Sequence, residues 1–260
     1  MTTTIPYKPR AADANKQAPG TFIPNSQIMK IPPSPHFHDT LLPNRCLICG
    51  ARIQPCETVV CAVCNTHLPR TGHTLTPDNN EMARMFWGQI TPERAIAYLH
   101  HYPHSESGTL IYAIKYGGAK ATATALGRMM ADECGRNGFF SGIDVIVPVP
   151  LSRDRERQRG YNQSLLIAQG IAYSSGIAVG GNVMERTAFV QAQTELYRQK
   201  RHDNVEGVFR LADAAAIRDR HVLIVDDVVT TGATMAACGK AVMEAGAARV
   251  SFIAIGMSSS

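Results

Sequence analysis

Aromatic side chains are scarce in this chain: 7% of 260 residues, with Trp87 the single tryptophan. That thin supply of stacking platforms argues against a protein built mainly to stack on nucleic-acid bases. Long apolar runs are also missing. No stretch reaches the roughly 18 to 20 consecutive apolar residues that cross a bilayer, and the opening MTTTIPYKPRAADANKQ has no apolar segment of the signal-peptide kind. A cytoplasmic location without a membrane span is the resulting expectation. Neither sign of charge dominates, since 26 Lys plus Arg face 21 Asp plus Glu for a net charge of +5. Prolines are thin in the body: eight of the 15 fall within the first 43 residues. That imbalance excludes one uniform fold and predicts a loose front ahead of a compact body.

What is present is more specific. Residues 1–43 combine Pro, Thr, Asn and Lys with few large apolar groups and no sustained periodicity, so burial cannot offset the entropy of ordering them. They read as a disordered tail. Five of the seven cysteines then crowd into nineteen residues, in NRCLICGARIQPCETVVCAVCNTHLPR. In a reducing compartment such a cluster points to metal before disulfides. Cys46 and Cys49 form one C-x2-C knuckle, Cys61 and Cys64 a second, with eleven residues between them. Two facing knuckles complete a tetrahedral zinc site, closed and therefore structural; Cys56 and His67 lie outside the knuckles. Cys134 and Cys238 fall in predicted helices and read as small buried hydrophobes. The chain thus divides into a tail (1–43), a zinc ribbon (44–70), a linker (71–81) and a main domain (82–260).

From about residue 82 the texture is alternating α/β. Strands are expected at ERAIAYLHHY, IDVIVPVP, HVLIVDD and ARVSFIAIG; helices at SESGTLIYAIKYGG, ATATALGRMMADECG, YNQSLLIAQGIAYSSG and TGATMAACGKAVMEAGA. Strand and helix alternating in this way imply parallel strands joined by right-handed crossovers, hence a doubly wound sheet. Met82, Met85, Phe86 and Trp87 are expected where the zinc module meets this domain. His100, His101 and His104 have no acidic partner in place and read as solvent-exposed.

The strongest chemical signal is HVLIVDDVVTTGATM, residues 221–235. A buried strand delivers Asp226 and Asp227 at the sheet edge where ligands of open α/β folds bind, and a Thr/Gly loop then opens a helix. Free N–H groups at that helix start favour a phosphate, Gly232 permits close approach, and the hydroxyls of Thr230, Thr231 and Thr234 add donors. Adjacent carboxylates repel phosphate but accept hydrogen bonds from sugar hydroxyls. The combination reads as a site for ribose 5-phosphate. Nineteen arginines against seven lysines fit anionic ligands, although Arg153, Arg155, Arg157 and Arg159, diluted by Asp154 and Glu156, read equally as a solvated charged loop.

This segment resembles the phosphoribosyl pyrophosphate (PRPP) motif of type I phosphoribosyltransferases. The resemblance implies that Asp226 and Asp227 bind the ribose hydroxyls, that Thr230, Thr231, Gly232, Ala233 and Thr234 wrap the 5′-phosphate, and that the fold is a parallel sheet of about five strands with a variable hood. IVPVPLSRDRERQRGYNQS is similar to the strand and pyrophosphate loop of the group, particularly in amidophosphoribosyltransferases, with Pro148, Val149, Pro150, Leu151 and Ser152 as the loop. ERTAFVQAQTELYRQKRHDNVEGVF resembles the segment that closes over PRPP, with Arg186, Gln193, Thr194, Arg201 and Asn204 at matching places. Lys115, in K-Y-G-G, matches a family position and is a candidate phosphate contact or a helix-end lysine complementing the dipole. The ordered set, beginning with the zinc module, resembles the ComF/GntX family, which is linked to DNA uptake. Two readings follow: a Mg²⁺-dependent transferase acting on an acceptor the sequence does not identify, or a non-catalytic protein, either a PRPP sensor or a binder of single-stranded DNA or a helicase-like partner. The sequence leaves the oligomeric state open.

Overall fold

A computed structural model describes residues 45–55, 57–116, 120–187 and 208–258. The expected tail (1–43), Gly117 and Gly118, and the family positions Gln193, Thr194, Arg201 and Asn204 lie outside these described residues. Within them, five parallel strands form the central sheet: β1 (Ala95–His101), β2 (Val145–Pro148), β3 (Ala178–Val179), β6 (His221–Val229) and β7 (Arg249–Ser258), in the order β1-β7-β6-β2-β3. A two-stranded antiparallel ribbon, β4 (Met184–Arg186) with β5 (Phe209–Leu211), stands apart from it. The expected doubly wound parallel sheet is therefore the architecture found.

The central strands are apolar on both faces, and alternation sorts them into two cores. Leu223, Val225, Ile253 and Ile255 face one way, against α3 (Glu106–Tyr116), α4 (Lys120–Gly135) and α6 (Gln163–Ser175). Val222, Ile224, Phe252 and Ala254 face the other, against α7 (Ala233–Glu244) and the short α2 (Glu81–Arg84). α4 and α6 approach so closely that a Cβ on Gly170 would collide with the Thr124 carbonyl.

The four-cysteine module packs on the first face. Cys46, Val59, Val60 and Leu68 are buried in the same core as α4 and α6. Its exit is tied down by Arg70, whose Nε and Nη2 donate to the Glu133 carboxylate on α4 at 2.9 and 3.0 Å. Tyr98 Oη donates to the same carboxylate at 2.7 Å, and the Arg70 guanidinium lies 4.4 Å from the Tyr98 ring centroid. Burial works against ionising Glu133, but hydrogen bonds from Arg70 and Tyr98 outweigh it and hold the carboxyl below its ordinary range. Residues 71–81 run along β1: Thr71 donates to the Ala97 carbonyl, and the buried His73 ring accepts from Ala97 N at 3.2 Å.

Several elements differ from the expectation. Arg153–Arg159 is not a loop but helix α5, started by Ser152, whose side chain accepts from Arg155 N, and closed by Gly160 in the left-handed conformation. No side chain of α5 is buried, so it lacks the apolar stripe by which helices are recognised. Met82 and Phe86 are buried against Phe252 and α7, on the face opposite the cysteine module, and Trp87 is 71% exposed. They do not meet the module because α2 packs behind β1 on the second core. His100 and His101 are half-buried rather than exposed: His100 lies edge-on to His73, and the Cβ of His101 sits over Gly256. His104 is exposed, as expected. Cys134 and Cys238 are fully buried, also as expected.

Candidate functional site

The site is assembled at the carboxyl edge of β6. The strand does not stop at the acid pair but continues to Val229, because β7 pairs beside it as far as Met257. Asp226 and Asp227 are therefore held by a rigid ladder. The chain then turns through Thr230 and Thr231 into Gly232, which caps α7 at φ +75°. A side chain there would be strained by the left-handed backbone, and its Cβ would come within 3.0 Å of the Phe86 ring. The Thr231 hydroxyl accepts from Ala233 N at 3.5 Å, and the first helical bond runs from Ala236 N to Gly232 O at 2.8 Å. Asp226 and residues 228–235 line an open depression over the start of this 12-residue helix.

The two carboxylates are not equivalent. Asp226 Oδ1 accepts from Ser164 Oγ at 2.9 Å and from Asp227 N at 2.8 Å. Burial first, and the neighbouring Asp227 charge second, push its carboxyl up to about 7. Asp227 Oδ1 accepts from Val228 N at 2.7 Å, while Oδ2 faces Lys115 Nζ at 3.6 Å. Lys115 thus does more than cap its helix: it reaches across to the acid pair.

The stretch Tyr161–Ser164 joins the remaining parts. Tyr161 Oη donates to Ile114 O at 2.8 Å, next to Lys115. Asn162 caps α6 through its side-chain oxygen and donates from Nδ2 to Val149 O at 3.1 Å. Pro148 still pairs with Val225, so the chain leaves the sheet at Val149, and residues 149–152 form the short connection into α5. Asp226, Asp227, residues 230–234, residues 149–152 and Lys115 are therefore brought to one sheet edge. Arg186 ends β4, on the ribbon outside the central sheet, and lies 5.5 Å from the Phe209 ring centroid.

Ser164 and His101 also lie at this edge; sequence reasoning did not single out Ser164, and it read His101 as solvent-exposed. Ser164 follows directly on the Y-N-Q signal, but its bond to Asp226 spans 62 positions. His101 lies in the field of both Lys115 and Asp227, and burial together with Lys115 lowers its affinity for a proton.

The four paired cysteines converge as expected. Their sulfurs all lie within 4.8 Å of one another, and the Cys49 and Cys61 Sγ atoms are 3.8 Å apart. Zinc–sulfur bonds of about 2.3 Å in a tetrahedron place the sulfurs about 3.8 Å apart, so the donor set fits structural zinc. Glu57 supports the second knuckle by accepting from Ala62 N at 2.6 Å. His67 turns away, its Nδ1 lying 2.8 Å from Val63 O. Among the described residues no helix is long and apolar enough to cross a membrane.

Known proteins resemble this chain in sequence. The phosphoribosyl transferase domain family matches residues 174–255, from the end of α6 through most of β7. The DNA utilization protein YhgH of Escherichia coli K12 is 28% identical over 219 residues, 80% of this chain and 95% of that protein. Competence protein F of Haemophilus influenzae is 36% identical over 93 residues, 35% of this chain and 41% of the relative. A solved structure of glutamine PRPP amidotransferase from Bacillus subtilis, complexed with ADP and GMP, is 20% identical, with a TM-score of 0.39, over 55% of this chain and 30% of that one. Sheet, domain match and cysteine cluster together define a type I phosphoribosyltransferase-like protein with an N-terminal four-cysteine ribbon. Within that class its relatives named for DNA utilization and competence support a ComF-family assignment.

Proposed function

We propose that the carboxyl edge of β6 binds PRPP and that the protein transfers its phosphoribosyl group to an acceptor within a DNA-uptake or DNA-utilization process. The observation that carries this reading is the convergence of an acid pair, a Thr/Gly turn at a helix start and the 149–152 connection at one edge. Asp226 and Asp227 take the ribose hydroxyls. Residues 230–234 and the free N–H groups of α7 take the 5′-phosphate, and residues 149–152, with Lys115, take the pyrophosphate. Arg186, with Gln193, Thr194, Arg201 and Asn204, belongs to the segment assigned to closing over the ligand and excluding water.

The chain would leave Mg²⁺ to be held mainly by the ligand's pyrophosphate and sugar oxygens, where it would supply charge neutralisation. The chain's residues fit that division, since Asp226 and Asp227 already accept bonds from Ser164 and from the backbone. In the reaction the bond from C1 to the pyrophosphate oxygen breaks with its electron pair leaving on pyrophosphate, while a nucleophile bonds to C1 and releases its proton to solvent. Zinc holds the ribbon and takes no part in this step.

Calorimetry with PRPP and Mg²⁺ tests the reading: stoichiometric binding is expected, abolished by combined Asp226→Asn and Asp227→Asn. Unchanged binding by that double variant would overturn the ribose assignment. Pyrophosphate release across a panel of nitrogenous acceptors then separates a transferase from a sensor.

A second reading, single-stranded DNA as a bound partner, is favoured by one surface. Tyr112 and Tyr116 on α3 are 66% and 60% exposed, their ring centroids 5.1 Å apart, and the Arg159 guanidinium lies 5.5 Å from the Tyr116 ring centroid. Paired aromatics beside arginine suit unstacked bases. A salt series with a single-stranded oligonucleotide tests it; a flat dependence of affinity on salt would rule out binding through phosphates.

A further inference from the structure

The Lys115–Asp227 ion pair joins a helix on one face of the sheet to a strand whose following turn starts a helix on the other. α3, which carries Lys115 in its last turn, packs on the first core through Leu110, Ile111 and Ile114. α7, whose start forms the phosphate turn, packs on the second core through Met235, Ala236 and Val242. Asp227 lies between them on β6. A phosphate seated on the start of α7 is therefore on the far side of the sheet edge from Lys115 and does not serve as its counter-ion.

Each carboxylate oxygen of Asp227 faces one partner. Oδ1 accepts from the backbone of Val228 and Oδ2 faces Lys115, with 23% of the lysine and 13% of the aspartate side chain exposed. A sugar diol donating to Oδ2 competes with Lys115 for that oxygen. Taking it parts a half-buried ion pair and leaves an ammonium without a partner, which is costly unless another anion replaces the carboxylate. His101 cannot act as that anion, being neutral or cationic, and Asp226 already engages Ser164 and Asp227 N.

We infer that Lys115 sets the ligand specificity of this site: it keeps Asp227 closed to sugars with a single phosphate and opens it to those carrying a second anionic group at the opposite end of the sugar. A ligand with both groups places one on α7 and draws Lys115 off Asp227 with the other, so the lysine exchanges one counter-ion for another as the diol takes its place. The inference rests on the ribose-phosphate reading above and adds to it the means by which C1 substituents are distinguished.

The experiment compares ribose 5-phosphate with PRPP, each with Mg²⁺, by calorimetry on the full chain. Wild type is expected to prefer PRPP by about 100-fold or more. Lys115→Met should tighten ribose 5-phosphate by roughly three- to tenfold and weaken PRPP by about tenfold, so the two affinities move in opposite directions. Lys115→Arg, which keeps the charge, should retain the preference, and unfolding midpoints of both variants establish that they are folded. Equal weakening of both ligands by Lys115→Met, or no change in either, overturns the role of Lys115 while leaving the site itself standing. Wild-type protein that binds neither ligand overturns both.

Discussion

Asp226→Asn should stabilise the ligand-free protein while abolishing its ribose-phosphate binding. The Asp226 carboxyl is pushed from an ordinary value of 3.8 up to about 7, by burial and by the adjacent Asp227. Because the folded state holds this proton more tightly than the unfolded chain does, stability falls as pH rises from about 4 through about 7 and is level above that. A separation of about 3 pH units at about 1.4 kcal/mol each sets a ceiling of about 4 kcal/mol on the cost of ionising the group in the fold. Asparagine keeps the oxygen that accepts from Ser164 Oγ and Asp227 N, so the hydrogen bonds survive while the buried charge goes. Denaturant unfolding of wild type and variant at pH 4, 6 and 8 is the assay. A gain of about 1 to 4 kcal/mol at pH 8, shrinking toward zero at pH 4, is expected. A variant no more stable than wild type at pH 8, or one whose advantage does not change with pH, would refute the reasoning. Stabilisation on removing a charged group marks a residue retained for binding at the expense of stability.

Three other outcomes follow from the geometry. Metal analysis should find about one zinc per chain, and chelation should lower the unfolding midpoint of the whole protein, because Cys46, Val59, Val60 and Leu68 belong to the main core; an unchanged midpoint after zinc loss would count against a structural site. Gly232→Ala should cost about 1 to 2 kcal/mol, through its φ of +75° and its contact with Phe86, and should weaken phosphate binding measured by titration. Glu133→Gln should destabilise by about 1 to 3 kcal/mol in thermal unfolding by loosening Arg70 and Tyr98. In wild type, the contribution of this carboxylate should be full above its unfolded value and lost as pH falls through its lowered folded one.

The parts legible in the sequence were those with a strong local signature. Strands β6 and β7 announced themselves because a parallel strand covered on both faces must be continuously apolar, and the acid pair and Thr/Gly turn followed directly on one of them. The double C-x2-C spacing was equally local. α5 was hidden because its seven residues bury nothing, so a helix held by a serine cap and a glycine stop carried the sequence texture of a charged loop. Two-residue β3 and the short β4–β5 ribbon are below the length at which alternation can be read. In the site, the bonds of Asp226 to Ser164 and of Asp227 to Lys115 join residues 62 and 112 positions apart. No spacing rule connects such residues; only the placement of α3 and α6 on the same face of the sheet does. The same is true of His101, whose environment depends on Lys115 and Asp227 rather than on its own neighbours in sequence.

The shared core of the cysteine ribbon and α4 has an evolutionary corollary. A ribbon whose Val59, Val60 and Leu68 fit among the side chains of the main domain, and whose last arginine is tied to Glu133, is not a cassette that can be exchanged by recombination at its boundaries. A foreign ribbon grafted onto this chain would need the matching surface of α4 to come with it. Substitutions in the ribbon therefore constrain which substitutions the helix can accept, and the reverse.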